Sequence, residues 1–180
     1  MKIILPIIFI FILSSSGLKA NNSLDLLTLY KQLHSYPELS FKEEKTSKKL
    51  ATILTGLGFE VTENFGGYGV VALLKNGEGK TIMLRADMDG LPVEELTGAP
   101  YASKAKSFNQ VGDEVFTMHA CGHDIHMTSL IGTLVDLIDK KDQWQGNLLA
   151  IMQPAEEVSG GARNMIKEGI FEKFPRPDFN

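Results

Sequence analysis

Two apolar runs, residues 81–86 and 148–153, flank a stretch of helical period at residues 127–138, and each run opens directly into carboxylates. The first is followed by Asp87-Met88-Asp89 and the second by Pro154-Ala155-Glu156-Glu157. A strand, a helix and a second strand of these lengths predict a βαβ unit, whose crossover makes the two strands parallel. Asp87 and Glu156 then fall just past the carboxyl ends of neighbouring strands, where open α/β sheets place their ligands.

The rest of the chain supports one α/β domain. Leu24, Leu27, Tyr30, Lys31 and Leu33 recur at helical spacing, with Pro37 just beyond. Ser40-Phe41-Lys42-Glu43 has the form of a capping box ahead of a second helix carrying Leu50, Ile53, Leu54 and Leu57, which should stop at Gly58. Extended segments are expected at 59–62, 70–74 and 81–86, the last two joined as a hairpin through Asn76-Gly77-Glu78-Gly79. Residues 87–121 read as loop, and no chemistry is legible in 103–116. A short helix over 162–167 should close at Gly169.

Residues 1–20 stand apart. Lys2 precedes an apolar run from Ile3 to Leu13, too short to span a bilayer, and then a small, polar stretch to Ala20. This is the pattern of a signal peptide, with residues 21–180 forming the mature part and no stable membrane insertion after cleavage. An exported protein, periplasmic or secreted, is expected. Without that segment the formal charge moves from −4 to −6, with 16 basic against 22 acidic residues, which argues against nucleic acid as a partner. Cys121 is the single cysteine, so no disulfide forms within the chain, and metal ligation would explain an unpaired thiol in an exported protein.

Three polar clusters would be brought together by the topology: Arg85-Ala86-Asp87-Met88-Asp89, the run from His119 to His126, and Glu156-Glu157. Their thiolate, imidazole and carboxylate donors suit zinc, with manganese or nickel as alternatives. Cys121 and His123 are separated by Gly122, which allows a turn tight enough for both to face one centre, although each alone is ordinarily a packing residue. Asp124 and His126 either orient ligands or simply begin the following helix. Two adjacent carboxylates at a strand end repel unless a cation or proton separates them, the alternative being a solvated acidic turn. In a hydrolytic site one binds metal while the other takes a proton from the attacking water and returns it to the leaving amine. Asp87 and Asp89 are either a plain strand-end turn or site residues, Asp89 being well placed to hold an imidazole in register.

Arg85-Ala86-Asp87-Met88-Asp89-Gly90-Leu91-Pro92, Met118-His119-Ala120-Cys121-Gly122-His123-Asp124 and Gln153-Pro154-Ala155-Glu156-Glu157 together closely resemble the amidohydrolase branch of the aminoacylase and glutamate carboxypeptidase family of metallopeptidases. That branch includes hippurate hydrolase and the plant auxin-conjugate hydrolases. The resemblance runs from about Leu24 to the end of the chain. It implies a three-layer α/β/α zinc-peptidase-like catalytic domain and two divalent ions. Cys121 would bridge or share the ions, His123 would bind one, and Glu157 would be a further ligand. Glu156 would be the general base and Asp89 its helper beside the metals. Asp87 would line the site where other branches place a metal-binding histidine, with Asp124 and His126 also lining it.

The resemblance also implies that this is the amino-terminal part of a longer enzyme. The continuation would supply another histidine ligand, a smaller lid or dimerisation domain and the rest of the sheet, whose edge here should be unpaired. By the same likeness the substrate would be an N-acyl amino acid or dipeptide-like molecule and the full-length protein a homodimer, this portion alone being inactive. Two other classes compete. A metal or small-ligand binding protein on the same fold would have no use for Glu156. A hydrolase with Cys121 as nucleophile and His123 as base would leave the paired glutamates without a role.

Overall fold

Helix α1 (Leu26–Ser35) begins where the Asp25 carboxylate accepts the Leu27 and Thr28 amides, at 3.1 and 3.3 Å, and it buries Leu29, Leu33 and His34. The computed structural model describes residues 24–180, so the expected signal peptide lies outside the described residues. Among the described residues no helix is long and apolar enough to cross a membrane.

Helix α2 (Glu44–Gly56) follows, but the expected capping box does not form. Glu43 makes no side-chain cap bond, and Glu38 instead accepts the Lys45 and Thr46 amides at 3.3 and 2.8 Å. Ser40 and Glu43 are turned inward and used elsewhere. The helix ends as expected at Gly58, whose φ of 89° lets the Phe59 amide fold back onto the Leu54 carbonyl.

Strands β1 (Glu60–Thr62), β2 (Val70–Asn76) and β3 (Thr81–Asp87) precede a two-stranded ribbon, β4 (Lys106–Phe108) and β5 (Glu114–Phe116). Helix α3 (His123–Asp139), strand β6 (Gly146–Gln153) and helices α4 (Gly161–Lys167) and α5 (Ile170–Lys173) complete the order. The main sheet runs β1-β2-β6-β3, with β6 parallel to β3 and antiparallel to β2. The βαβ unit therefore forms as expected.

The hairpin between the second and third strands does not form, because β6 inserts between them. β6 is an almost wholly buried strand, and its backbone is satisfied only by pairing on both edges. The turn at its foot is opened to admit it: Lys80 accepts the Asn147 amide at 2.9 Å, and an added Cβ on Gly79 would lie 3.1 Å from Gly146.

Alternate residues of β2 and β6 serve opposite faces. Val70, Ala72, Leu74, Leu148, Ala150 and Met152 pack under α1, α2 and α3, whereas Val71, Leu73, Leu149 and Ile151 pack with Phe65, Met165 and Ile170 near α4 and α5. This is the three-layer α/β/α arrangement. The outer edge of β3 is not wholly bare, since Phe179 bridges Ile82 in parallel and accepts the Met83 amide at 2.8 Å.

Candidate metal centre

Asp87 ends β3, and Asp89 lies two residues further on, 1% exposed. The Asp89 carboxylate accepts the Ser40 hydroxyl at 2.6 Å, the Glu156 amide at 3.1 Å and the Glu157 amide at 3.0 Å. Burial works to raise its pKa, but hydrogen bonds from His123, Ser40 and the two glutamate amides outweigh it and hold the carboxyl down at about 2. Asp89 is thus a buried anion that ties the β3 end to the β6 end.

His123 opens α3, preceded by Gly122 at a φ of 82°. The helix begins four residues earlier than its apolar period indicated, because His123 and Asp124 are themselves buried. His123 Nδ1 lies 2.7 Å from the Asp89 carbonyl. A carbonyl only accepts, so Nδ1 carries the proton, and in the neutral ring Nε2 keeps a lone pair directed at the site. That nitrogen stands 3.6 Å from Asp87 Oδ2 and 3.8 Å from both Glu156 Oε2 and Glu157 Oε1. Burial lowers the pKa of His123, yet the Asp89 hydrogen bond and the Asp87 charge raise it further, to about 8.

Two trios have donor atoms mutually within 4.8 Å: Asp87 with His123 and His126, and His123 with Glu156 and Glu157. Glu157 Oε1 is buried without a hydrogen-bond partner. An unpartnered buried carboxylate oxygen beside two further carboxylates and an imidazole lone pair is the electrostatic signature of a cation site. The donor set fits a borderline divalent ion. In both trios the imidazole atom that faces the carboxylates is Nε2, so His123 offers one donor atom to the cluster.

Each residue expected at the site has a definite place. His126 is exposed on α3, with Nδ1 2.8 Å from Asp87 Oδ1. Cys121 is exposed and outside both trios, beside Glu157, whose hydrogen bond pushes the thiol pKa up. Asp124 faces away from the cluster. Its Oδ2 is 2.6 Å from His34 Nδ1, and His34 Nε2 is 3.0 Å from Glu95 Oε1, a buried array behind α3.

Residue periodicity missed four contributors: Ser40, Glu43, His34 and Glu95. His34 carried a faint signal, as an imidazole on the buried stripe of α1, whereas the other three are placed by long-range contacts that no local pattern encodes. His119 is 5% exposed with neither ring nitrogen partnered, and burial pushes its pKa down to about 4, so the ring is neutral.

Known proteins resemble this chain in sequence and fold. Hippurate hydrolase of Campylobacter jejuni subsp. jejuni is 46% identical over 144 residues, covering 79% of this chain and 35% of its own length. N-acetylcysteine deacetylase of Bacillus subtilis is 40% identical over 147 residues, covering 81% of this chain and 36% of its own. The chain therefore spans little more than a third of the length of these relatives. The Bacillus subtilis YXEP protein, whose crystal structure is described as that of a dinuclear metal-binding peptidase from the M20 family, superposes with a TM-score of 0.71 at 38% identity. The match covers 81% of this chain and 39% of that one. The model of peptidase family M20/M25/M40 matches residues 83–180, a span that begins in β3 and takes in Asp89, His123, Glu156 and Glu157. By that match and by the donors gathered at its strand ends, the chain belongs to peptidase family M20/M25/M40.

Proposed function

We propose that the strand-end cluster is the catalytic centre of a metal-dependent amidohydrolase that cleaves the amide bond of N-acyl amino acids or similar dipeptide-like molecules. One observation carries this reading: the two adjacent glutamates have unequal surroundings. The Glu157 side chain is 16% exposed and its Oε1 is unpartnered, whereas that of Glu156 is 41% exposed. A buried, unpartnered carboxylate suits ligation, and an open one suits proton transfer with a bound molecule.

Glu156 takes the proton of the attacking water and returns it to the departing amine. Glu157, His123 and Cys121 hold two divalent ions, zinc or manganese with nickel as a further alternative, and Asp87 and His126 stand alongside them. When bound, these ions supply Lewis acidity toward the scissile carbonyl and the hydrolytic water. Asp89 keeps His123 in its tautomer and the glutamate pair in register.

A cavity of about 370 Å³, lined by Leu39, Leu91, Pro92, Phe108, Val111 and Glu157 among others, adjoins the pair and has room for the apolar acyl group of the substrate. The two hydrolytic relatives, a hippurate hydrolase and an N-acetylcysteine deacetylase, support this substrate class. The functional unit is the longer protein, a homodimer exported by its residue 1–20 leader, and the acidic balance of this chain speaks for small molecules over nucleic acid.

The test is hydrolysis of a panel of N-acetyl and N-benzoyl amino acids by the full-length gene product. Activity that vanishes on dialysis against a chelator and returns with zinc or manganese is expected. A folded, metal-loaded protein without activity on any member would make this a binding protein instead.

A further inference from the structure

Glu43 is fully buried at the start of α2, and its side chain caps nothing in the helix. Its Oε1 accepts the Ala155 amide at 2.7 Å across 112 residues of chain, and its Oε2 has no partner. A carboxyl kept in the interior with one oxygen unpartnered relies on the bond that its other oxygen makes.

That bond falls on a strained residue. Ala155 is buried with a φ of 47°, in the left-handed region that residues bearing a Cβ rarely occupy. Its carbonyl accepts the Gly160 and Gly161 amides at 3.0 and 3.1 Å. The next two amides, of Glu156 and Glu157, are taken by Asp89. Three consecutive amides are therefore held by two buried carboxylates, one ahead of α2 and one beyond β3. The side chains that follow these amides are the glutamates whose carboxylates meet His123.

We infer that Glu43 is a positioning residue of this centre: by holding the Ala155 amide it fixes the left-handed turn that aims Glu156 and Glu157 at His123. The inference rests on the roles given to those two glutamates under the proposed function. Burial, reinforced by the nearby Asp89 charge, pushes the Glu43 carboxyl up to about 7, so an uncharged acceptor of the same shape serves equally well. Glutamine offers such an acceptor; methionine has the length but offers none.

The test compares E43Q and E43M in the full-length gene product, reading hydrogen exchange at the Ala155 amide together with kcat and KM. E43M should speed exchange at that amide at least tenfold and lower kcat at least tenfold with KM within threefold, while E43Q stays within threefold of the parent in all three. Exchange and kcat at parental values in E43M, or an E43Q that falls as far as E43M, overturns the inference. Should E43M not fold, E43D carries the same test, since it keeps the carboxyl group but withdraws the acceptor by one methylene; parental values there also overturn it. A parent protein without amidase activity defeats the functional reading alone, and the exchange difference still decides the role of Glu43.

Discussion

Replacing Asp89 with asparagine isolates the buried anion that joins the two strand ends. The carboxylate accepts three short hydrogen bonds on two oxygens, from the Glu156 amide on Oδ1 and from Ser40 and the Glu157 amide on Oδ2, and His123 Nδ1 stands 3.4 Å from Oδ1 as a weaker fourth partner. Asparagine has one acceptor oxygen, so at least one donor comes to face an NH₂ group. Losing a charge-assisted bond and leaving a donor unpaired costs about 2–4 kcal/mol. The titration gives a second measure: a pKa held at about 2 against an ordinary 3.8 corresponds to about 2 kcal/mol at neutral pH. The sign follows from the depressed pKa. Stability from Asp89 is present above about pH 4 and is lost as pH falls toward about 2. Urea unfolding of the metal-free protein should therefore show D89N less stable by about 2–4 kcal/mol at pH 7, with the gap narrowing by roughly 1–2 kcal/mol between pH 5 and pH 2.5. A gap that does not change with pH, or one below about 0.5 kcal/mol at pH 7, would refute the reasoning.

Three further outcomes follow from the geometry. Because the His123 pKa is raised to about 8 in the metal-free protein, metal must displace a proton below that pH, and zinc affinity measured by calorimetry should fall at least about fifteenfold in all between pH 8 and pH 6.5; equal affinities would remove His123 from the ligand set. A Cβ at position 161 would sit 1.6 Å from the Pro154 carbonyl oxygen, so G161A should shift the glutamate turn, costing about 1–3 kcal/mol in thermal unfolding and at least tenfold in kcat. Truncating Phe108, on the cavity wall, should raise KM for N-benzoyl substrates by roughly three- to tenfold, about 1 kcal/mol, and leave N-acetyl substrates nearly unchanged.

The strand–helix–strand frame was legible because its signals are local. Residues 81–86 and 148–153 are apolar runs of strand length, and residues 127–138 have a 3.6 period, so the parallel pair and the carboxylates beyond it could be placed. The hairpin over residues 70–86 was misread because a turn signal reports a reversal of direction and not adjacency. Whether a later strand enters the gap depends on which edges must be filled, and β6 fills both. The capping-box pattern at Ser40–Glu43 failed for a related reason: the same side chains serve Asp89 and Ala155, far away in sequence, more strongly than they would serve their own helix. The β4–β5 ribbon was read as loop because three-residue strands are too short to show an alternation. At the site, residue chemistry pointed to His123, Glu156, Glu157 and Asp89, which the fold brings together. Asp124 had two readings in sequence, and its partner, His34, lies 90 positions upstream.

The central claim is that Glu156 moves the proton in a centre whose metal is held by its neighbours. It is tested most directly by Glu156→Gln in the full-length gene product, measuring kcat and bound metal on the same sample. The account predicts a fall in kcat of about a hundredfold or more with metal content unchanged. A variant that keeps kcat within tenfold of the parent, or one that loses its metal, would contradict it.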